Sequence, residues 1–182
     1  MNLLIMGAPG AGKGTQATAL AEHYGVPAIS TGDIFRANIK DQTPLGVKVK
    51  AIIDAGDYVP DDVTEEIVAD RLAQPDCANG FILDGVPRTI AQAEAIETMG
   101  IRIDKVLELS VADDVIVERM SGRRVCEKCG ASYHIINKKS KVECVCDCCG
   151  GKLVIRKDDQ PATVLDRLKA YHEQTEPLVD FY

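Results

Sequence analysis

The chain has 182 residues and a formal net charge of −7, with 46% hydrophobic and 27% charged residues. This length fits one domain of ordinary size with small insertions, and the composition excludes both a disordered chain and a membrane protein. No apolar run approaches the ~20 residues that span a bilayer, and the negative charge disfavours a broad nucleic-acid-binding surface. The short apolar start lacks the basic flank and cleavage site of a secretory signal, so the sequence predicts a cytoplasmic protein.

Short apolar runs alternate with segments of helical periodicity as far as residue 121. In chain order the pattern predicts a strand at 2–6, a helix at 15–23, a strand at 28–30, and helices at 32–40 and 44–56. A helix capped by Asp61 and Asp62 runs to about residue 73, followed by a strand at 81–83, a helix at 88–99, a strand at 105–109 and a helix capped by Asp113 at 113–121. This alternation predicts an α/β fold with a parallel sheet and right-handed crossovers.

The periodicity stops near residue 122 and returns at residue 161. Cysteine, lysine and glycine dominate in between, which indicates an insertion. A long helical pattern then covers 161–182, with Leu165, Leu168, Tyr171 and His172 predicted on one side. Segment 122–159 contains nine Lys or Arg and five acidic residues, so its charge is +4 and the remainder of the chain carries −11. A basic insertion on an acidic body is suited to closing over an anion.

The loop between the first strand and the first helix carries the clearest chemical signal. It reads GAPGAGKGT at 7–15. The glycines let backbone N–H groups point at phosphate oxygens, and Lys13 can reach the outer phosphates. Because Gly14 follows the lysine where Ser or Thr is usual, a hydroxyl on the metal side has to come from Thr15. The loop predicts phosphate binding, and the alternative is a plain glycine-rich turn before a helix.

Asp84 ends the third predicted strand. A carboxylate at this point suits the binding of Mg²⁺, or of its water shell, beside the phosphates of a nucleotide. The alternative is an aspartate that caps a helix or forms a turn.

Two CxxCG turns, at 126–130 and 146–150, predict a metal site. Their four thiolates suit tetrahedral Zn²⁺ and belong to Cys126, Cys129, Cys146 and Cys149. A shifted set that includes Cys144 or Cys148 is one alternative, and an iron–sulfur cluster is another. Because the insertion has few large apolar residues, the metal has to substitute for packing.

Together with the glycine-rich loop, the motifs STGD at 30–33 and DGVPRT at 84–89 make the sequence resemble the adenylate kinases. These are nucleoside monophosphate kinases, and the resemblance is to their bacterial form with a long zinc-binding lid. It extends over the whole chain and implies a P-loop α/β/α core with a parallel sheet, a small helical monophosphate-binding insert and a β-rich lid. The insert would be 30–59, the lid 122–159, and the core 1–29, 60–121 and 160–182.

The resemblance implies a monomer that transfers a phosphoryl group reversibly from Mg-ATP to AMP to give two ADP, with neither nucleic acid nor membrane as a partner. On the ATP side it implies Gly10, Ala11, Gly12, Lys13, Gly14, Thr15, Arg119, Arg123, Ser132 and Tyr133. On the AMP side it implies Thr31, Arg36, Asp57, Tyr58, Val59, Gly85, Val86, Pro87, Arg88, Gln92, Arg156 and Arg167.

Phosphoryl transfer requires alignment and charge neutralisation, which arginines provide through bidentate hydrogen bonds, and the attacking phosphate is already anionic. With this chemistry, the resemblance implies that the catalytic groups are Lys13, Arg36, Arg88, Arg123, Arg156, Arg167 and Asp84. Taken singly, each arginine could equally be a solvated surface residue. Thr31 and Gln92 resemble adenine-contacting positions, which predicts AMP rather than UMP or CMP as the acceptor.

The sequence departs from the family at two points. Val86 stands where the family usually has Phe, and the family continues past the position of Tyr182 with a strand and a helix whose contacts to the ATP base have no counterpart here. The four predicted strands are one fewer than the family's usual five. Two other functions stay open. One is a non-catalytic nucleotide sensor, and the other is a zinc-ribbon nucleic-acid binder. Nucleic-acid binders stack bases on aromatic side chains, and Tyr133 is the only Phe, Tyr or Trp of the insertion, which disfavours the second function.

Overall fold

The computed structural model describes all 182 residues. The strands are β1 (Asn2–Gly7), β2 (Ala28–Ser30), β3 (Phe81–Asp84), β4 (Lys105–Leu109), β5 (Arg123–Cys126), β6 (Ser132–His134) and β7 (Leu153–Val154). The helices are α1 (Lys13–Tyr24), α2 (Thr31–Lys40), α3 (Pro44–Ala55), α4 (Asp61–Leu72), α5 (Ile90–Thr98), α6 (Asp113–Gly122), α7 (Pro161–Ala170) and α8 (Leu178–Phe181). Two 3₁₀ turns, Pro75–Cys77 and Lys157–Asp159, and a π-helical segment, Tyr171–Thr175, complete the chain. None of the helices combines the length and apolar character of a membrane span.

The central sheet is parallel and has the strand order β2-β3-β1-β4, which confirms the predicted α/β class. Strand β1 is buried on both of its faces, as expected for a parallel sheet between two helical layers. Leu3 and Ile5 pack towards α1, whereas Leu4 and Met6 pack towards α4, α5 and α8. The side chains of β1 therefore alternate between the helical layer on one face of the sheet and the helical layer on the other.

The register of the sheet brings the functional loops to one edge. Asp84 pairs with Ile5 of β1 on one side and with Ser30 of β2 on the other. Because the carboxyl ends of parallel strands lie at the same edge, the loop after β1, the start of α2 and the turn after β3 all meet there. The predicted strands 28–30 and 105–109 agree with β2 and β4 at both ends.

Residues 30–59, which we call the helical insert, contain α2 and α3. The two helices approach so closely that a Cβ atom on Gly46 would lie 2.0 Å from the carbonyl oxygen of Asn38. An apolar cluster, formed with the start of α4, holds the insert together, and its buried members are Phe35, Val49, Val59 and Val63.

Residues 122–159, which we call the lid segment, contain a small antiparallel sheet in the order β6-β5-β7. The only large side chains in its buried cluster are Tyr133 and Leu153, and the other two members are Cys126 and Cys146. Apolar packing is therefore thin in this segment.

The C-terminal region differs from the predicted single helix at 161–182. The π-helical segment follows α7 directly, and a turn at Pro177, which lacks a backbone N–H, separates it from α8. Two of the four positions predicted on the apolar side are wrong, because Leu165 is 60% exposed and His172 is exposed, whereas Leu168 and Tyr171 are buried as predicted. Val164, which was not predicted, packs with Leu168 and Tyr171 against α6.

Two predicted helix caps are wrong. No side chain caps α4, and Asp61 instead accepts hydrogen bonds from two residues at the start of α5. No side chain caps α6 either, and Asp113 instead accepts from the ring of His172, 3.0 Å away. In both cases a carboxylate expected to cap its own helix has a partner on another element.

Helix α5 begins at Ile90, two residues later than predicted. The Thr89 hydroxyl caps it by accepting a hydrogen bond from the backbone N–H of Gln92. Arg88 therefore lies before the helix, in the turn that follows β3.

Candidate active site

The glycine-rich loop connects β1 to α1 in a conformation that requires glycine. Gly7, Gly10 and Gly12 have φ values of 139°, 90° and 107°, which L side chains rarely adopt. A Cβ atom on Gly10 would lie 2.8 Å from the side chain of Met120, so the loop also passes close to α6. No side chain caps the N-terminus of α1, and its first N–H groups are therefore available to an anion.

Lys13, the first residue of α1, folds back onto the start of this loop. Its ammonium group donates hydrogen bonds to the carbonyl oxygens of Gly7, at 2.6 Å, and Ala8, at 2.9 Å. Burial lowers the pKa of Lys13 to about 8, although Asp84 opposes the shift. The positive charges of Arg88, Arg167 and Arg123 contribute to this lowering of the pKa. The field at the loop is thus strongly positive and suited to a polyanion.

Asp84 faces the glycine-rich loop from the end of β3. The two are close, because a Cβ atom on Gly14 would lie 3.4 Å from the Oδ2 atom of Asp84. Burial raises the pKa of Asp84, and the positive charges of Lys13 and Arg88 oppose this shift. Thr15, the other predicted residue on the metal side, is exposed in the first turn of α1. A divalent cation at this position would favour the ionised carboxylate.

A cleft between the helical insert, the turn after β3 and the lid segment contains most of the residues predicted on the AMP side. These are Thr31, Arg36, Asp57, Tyr58, Val59, Gly85, Arg88, Gln92, Arg156 and Arg167. Of the other two predicted residues, Val86 is buried in the main core and Pro87 lines a neighbouring cleft.

Sequence reasoning missed six residues that also line this cleft, which are Gly32, Phe35, Ile53, Gly56, Thr64 and Asp158. Phe35 and Ile53 follow the apolar periodicity of α2 and α3. That signal marks a buried face without distinguishing a core from the wall of a cleft.

The neighbouring cleft contains Lys13 and reaches the glycine-rich loop. Four residues line both clefts, and they are Tyr58, Gly85, Arg88 and Arg167. The two compartments therefore meet at two guanidinium groups, which are suited to binding phosphates.

Two buried aspartates hold the arginines of the lid segment and α7. Arg123 forms a bidentate ion pair with Asp159, and Arg156 forms one with Asp158. Arg167 lies 2.9 Å from a carboxylate oxygen of Asp158 and 3.4 Å from one of Asp159. Burial opposes ionisation of Asp158, but Arg156, Arg167 and Arg123 outweigh it and lower its pKa to about 2. Neither aspartate was predicted, because adjacent Asp residues after a basic stretch have no distinctive sequence signal.

Arg88 is fixed by three neighbours. Its Nε donates to the carbonyl oxygen of Gly85 at 2.7 Å, and its own carbonyl oxygen accepts a hydrogen bond from the Thr175 hydroxyl at 2.8 Å. The Tyr58 ring lies under the guanidinium, 5.0 Å from centroid to Cζ, and the Tyr58 hydroxyl is 2.9 Å from that of Thr175. The π-helical segment that contains Thr175 thus supports an arginine of the cleft.

The other residues predicted on the ATP side, in α6 and in the lid segment, lie in different surroundings. Arg119 donates to the carbonyl oxygen of Ala11 in the glycine-rich loop, at 3.2 Å. Ser132 is exposed on β6. Tyr133 is buried, and its hydroxyl lies 3.4 Å from the sulfur of Cys146 and accepts a hydrogen bond from the backbone N–H of Asp147.

Four predicted metal ligands lie together at the end of the lid segment. Their sulfur atoms are all within 4.8 Å of one another, and they belong to Cys126, Cys129, Cys146 and Cys149. The sulfur atoms of Cys126 and Cys149 are 3.5 Å apart, and those of Cys129 and Cys146 are 3.6 Å apart. Tetrahedral Zn–S bonds of about 2.3 Å place sulfur atoms about 3.8 Å apart, so the donor set fits. Cys144 and Cys148 are exposed and lie outside this group.

Comparisons with known proteins identify the family. A family model described as adenylate kinase matches residues 5–182. Curated proteins named adenylate kinase from Caldicellulosiruptor saccharolyticus and Acetivibrio thermocellus are 56% and 55% identical to the chain. Each of these matches covers 100% of this chain and 86% of the relative. The chain therefore belongs to the adenylate kinase family of enzymes, which transfer a phosphoryl group reversibly from Mg-ATP to AMP and so form two molecules of ADP.

Proposed function

We propose that this chain performs the family's reaction where its two clefts meet, with the glycine-rich loop on the phosphates of ATP and the helical insert around AMP. The observation that carries this proposal is the group of cations where the two clefts meet. Lys13, Arg88 and Arg167 line the same cleft although they come from separate parts of the chain. Arg123 joins them by pairing with Asp159, which also lies 3.4 Å from Arg167. Such a group of cations suits a transition state with charge on several phosphate oxygens.

We assign the ATP phosphates to the backbone of residues 10–15 and to Lys13, with Arg119, Arg123, Ser132 and Tyr133 on the same side. A phosphate at the N-terminus of α1 would give the ammonium of Lys13 a partner of higher charge than the two carbonyl oxygens that it contacts.

We assign AMP to the cleft at the helical insert. Thr31 and Gln92 contact the base, residues 57–59 and Gly85 enclose the nucleotide, and Arg36, Arg88, Arg156 and Arg167 bind its phosphate. Val86 and Pro87, also predicted here, lie in the core and in the neighbouring cleft. The lining of the cleft supports this assignment, because polar and charged side chains from the insert, the turn after β3 and the lid segment all reach it.

The paired aspartates orient the arginines without saturating them. Arg123 and Arg156 each use Nε and Nη2 on a carboxylate. A guanidinium has five N–H donors, so each of these arginines keeps free donors for phosphate oxygens. Asp158 and Asp159 therefore act as positioning residues for the catalytic arginines.

Asp84 and the hydroxyl of Thr15 would hold Mg²⁺, or the water molecules bound to it, beside the phosphates of ATP. When bound, the ion neutralises charge on the phosphate oxygens. Asp84 suits this role because it is a carboxylate beside Lys13, at the edge of the sheet where the glycine-rich loop begins.

Zn²⁺ is the metal that we propose for the four cysteines, with a structural role. Four thiolates in tetrahedral arrangement leave no open position for a substrate or water. The site also lies within the small buried cluster of the lid segment, which has only Tyr133 and Leu153 as large side chains. We further propose that residues 30–59 and 122–159 act as flaps on a core of 1–29, 60–121 and 160–182, in a cytoplasmic monomer.

A coupled assay for ADP, with ATP, AMP and Mg²⁺, tests the site. We expect Lys13→Ala and Arg88→Ala to lower kcat by about 100-fold or more, because each removes a cation from the transferring phosphates. Matched controls are Lys48→Ala and Arg102→Ala, at exposed positions outside the clefts, which should retain turnover. The melting temperatures of all four variants show whether each one folds.

Near-normal turnover of Lys13→Ala or Arg88→Ala would contradict the assignment. A nucleotide sensor would bind ATP without forming ADP, and a nucleic-acid binder would bind a polynucleotide at moderate salt in a parallel titration. Each of these outcomes replaces the proposed reaction with a different function.

A further inference from the structure

Asp61 forms a hydrogen-bonded network beneath the predicted base-contacting residue Gln92. Its Oδ1 atom accepts from Nε2 of Gln92 at 2.6 Å, and its Oδ2 atom accepts from the Thr89 hydroxyl at 3.1 Å. On the other side of the amide, Oε1 of Gln92 accepts from the backbone N–H of Arg88 at 2.8 Å. Gln92 is 2% exposed, yet it lines the cleft assigned to AMP.

This network fixes which end of the Gln92 amide is the donor. A carboxylate only accepts hydrogen bonds, and a backbone N–H only donates them. Rotating the amide by 180° would place NH₂ against the N–H of Arg88 and the amide oxygen against the carboxylate of Asp61. Both contacts would then be repulsive in a buried site, where unpaired polar groups are costly.

The fixed amide keeps one N–H on Nε2 and one lone pair on Oε1 for a ligand. A 6-amino purine offers the complementary pair, because its ring nitrogen N1 accepts and its amino group donates. A 6-oxo purine offers the reverse, with N1–H as the donor and O6 as the acceptor. The amide could match that base only by rotating against both of its protein partners.

We propose that Asp61 is a positioning residue that sets the orientation of the Gln92 amide, and thereby selects a 6-amino over a 6-oxo purine monophosphate. This inference rests on the proposed contact between Gln92 and the base. Asp61 lies outside the lining of the cleft, so it acts through Gln92 and touches no substrate.

The test compares kcat/KM for AMP and for IMP, the 6-oxo counterpart, in four variants. Asp61→Leu removes both acceptors while keeping the branching at Cγ, and Asp61→Asn keeps an acceptor for Nε2. Asp62→Leu places the same change at the exposed neighbouring position, and Gln92→Leu removes the amide itself. Asp61→Ala replaces Asp61→Leu should the latter not fold.

We expect Asp61→Leu to lower the AMP/IMP ratio of kcat/KM about tenfold, mainly through a higher KM for AMP, because one buried hydrogen-bond partner is lost. Asp61→Asn should keep the ratio within about threefold of the original protein, since its carbonyl oxygen can still accept from Nε2. Asp62→Leu should leave the ratio unchanged.

A merely structural role for Asp61 predicts a different result, in which Asp61→Leu lowers kcat/KM equally for AMP and IMP. If Gln92→Leu changes the ratio and Asp61→Leu does not, this inference is overturned and the proposed base contact stands. If neither variant changes the ratio, the base contact of Gln92 is wrong and the inference is overturned with it.

Discussion

The helical insert and the lid segment line the same cleft, but different interactions hold each of them together. The insert has an apolar cluster, with Phe35 and Val49 buried at its centre. The lid segment buries Tyr133 and Leu153 beside two cysteines and has little other apolar packing. Packing is sufficient for the insert, whereas the proposed metal would link the four cysteines of the lid segment. Loss of that metal should therefore affect the lid segment and spare the helical insert.

The lid segment also differs from the insert in how it joins the rest of the molecule. Asp158 and Asp159, at its C-terminal end, pair with Arg167 of α7 and with two arginines of the segment itself. The helical insert instead shares its apolar cluster with the start of α4. The base of the lid segment should therefore respond to pH, and the base of the insert should not.

The largest expected effect comes from breaking the metal site. We expect Cys126→Ser, or a chelator, to lower the melting temperature by about 5 °C or more, because a structural metal contributes its binding free energy to folding. Hydrogen exchange should increase in β5–β7 and stay unchanged in α2 and α3. Cys144→Ser, at an exposed cysteine outside the cluster, is the control and should behave like the original protein. Unchanged melting after complete metal removal would show that the lid segment does not need a metal.

A smaller effect is expected from opening the helical insert. Gly46→Ala places a Cβ atom 2.0 Å from the Asn38 carbonyl oxygen, so α2 and α3 have to separate. Overpacking of this kind costs about 1–3 kcal/mol of the free energy of unfolding. We expect KM to rise for AMP more than for ATP, with unchanged metal content. Lys48→Ala, on the exposed side of the same helix, is the control, and an equal effect of both variants on KM would contradict this account.

A third effect, which becomes smaller as the pH falls, concerns the ion pairs of Asp158. Its pKa is about 2 in the folded chain, below the ordinary value of about 3.9 for an unfolded aspartate. Because the folded pKa is the lower one, the stabilisation is complete above about pH 4 and is lost as the pH falls towards 2. Asp158→Asn should therefore reduce the free energy of unfolding by about 2 kcal/mol at pH 7 and by progressively less below pH 4.

Urea unfolding of the original chain and of Asp158→Asn at pH 7, 5 and 3 measures this difference, with the exposed Asp180→Asn as the control. A difference that does not change with pH would mean that Asp158 stabilises the lid segment by packing rather than by charge.

Local sequence signals were sufficient for the parts of the molecule that depend on neighbouring residues. The glycine-rich loop, the two CxxCG turns and the apolar strands are each encoded within about ten residues. The main sheet and the grouping of four cysteines agree with these predictions. Glycine conformations, thiol spacing and strand burial are set by short-range chemistry, so they can be predicted without knowledge of how the elements pack.

Only the tertiary structure decided which distant side chains meet. Asp61 and Asp113 have partners on other helices instead of capping their own, and Asp159 pairs with an arginine 36 residues earlier in the chain. The buried side of α7 was set by the position of α6 rather than by the apolar pattern of α7 alone. These contacts depend on the packing of whole elements, because a side chain's partner is whichever group the fold brings within hydrogen-bond distance, and no local pattern specifies that group.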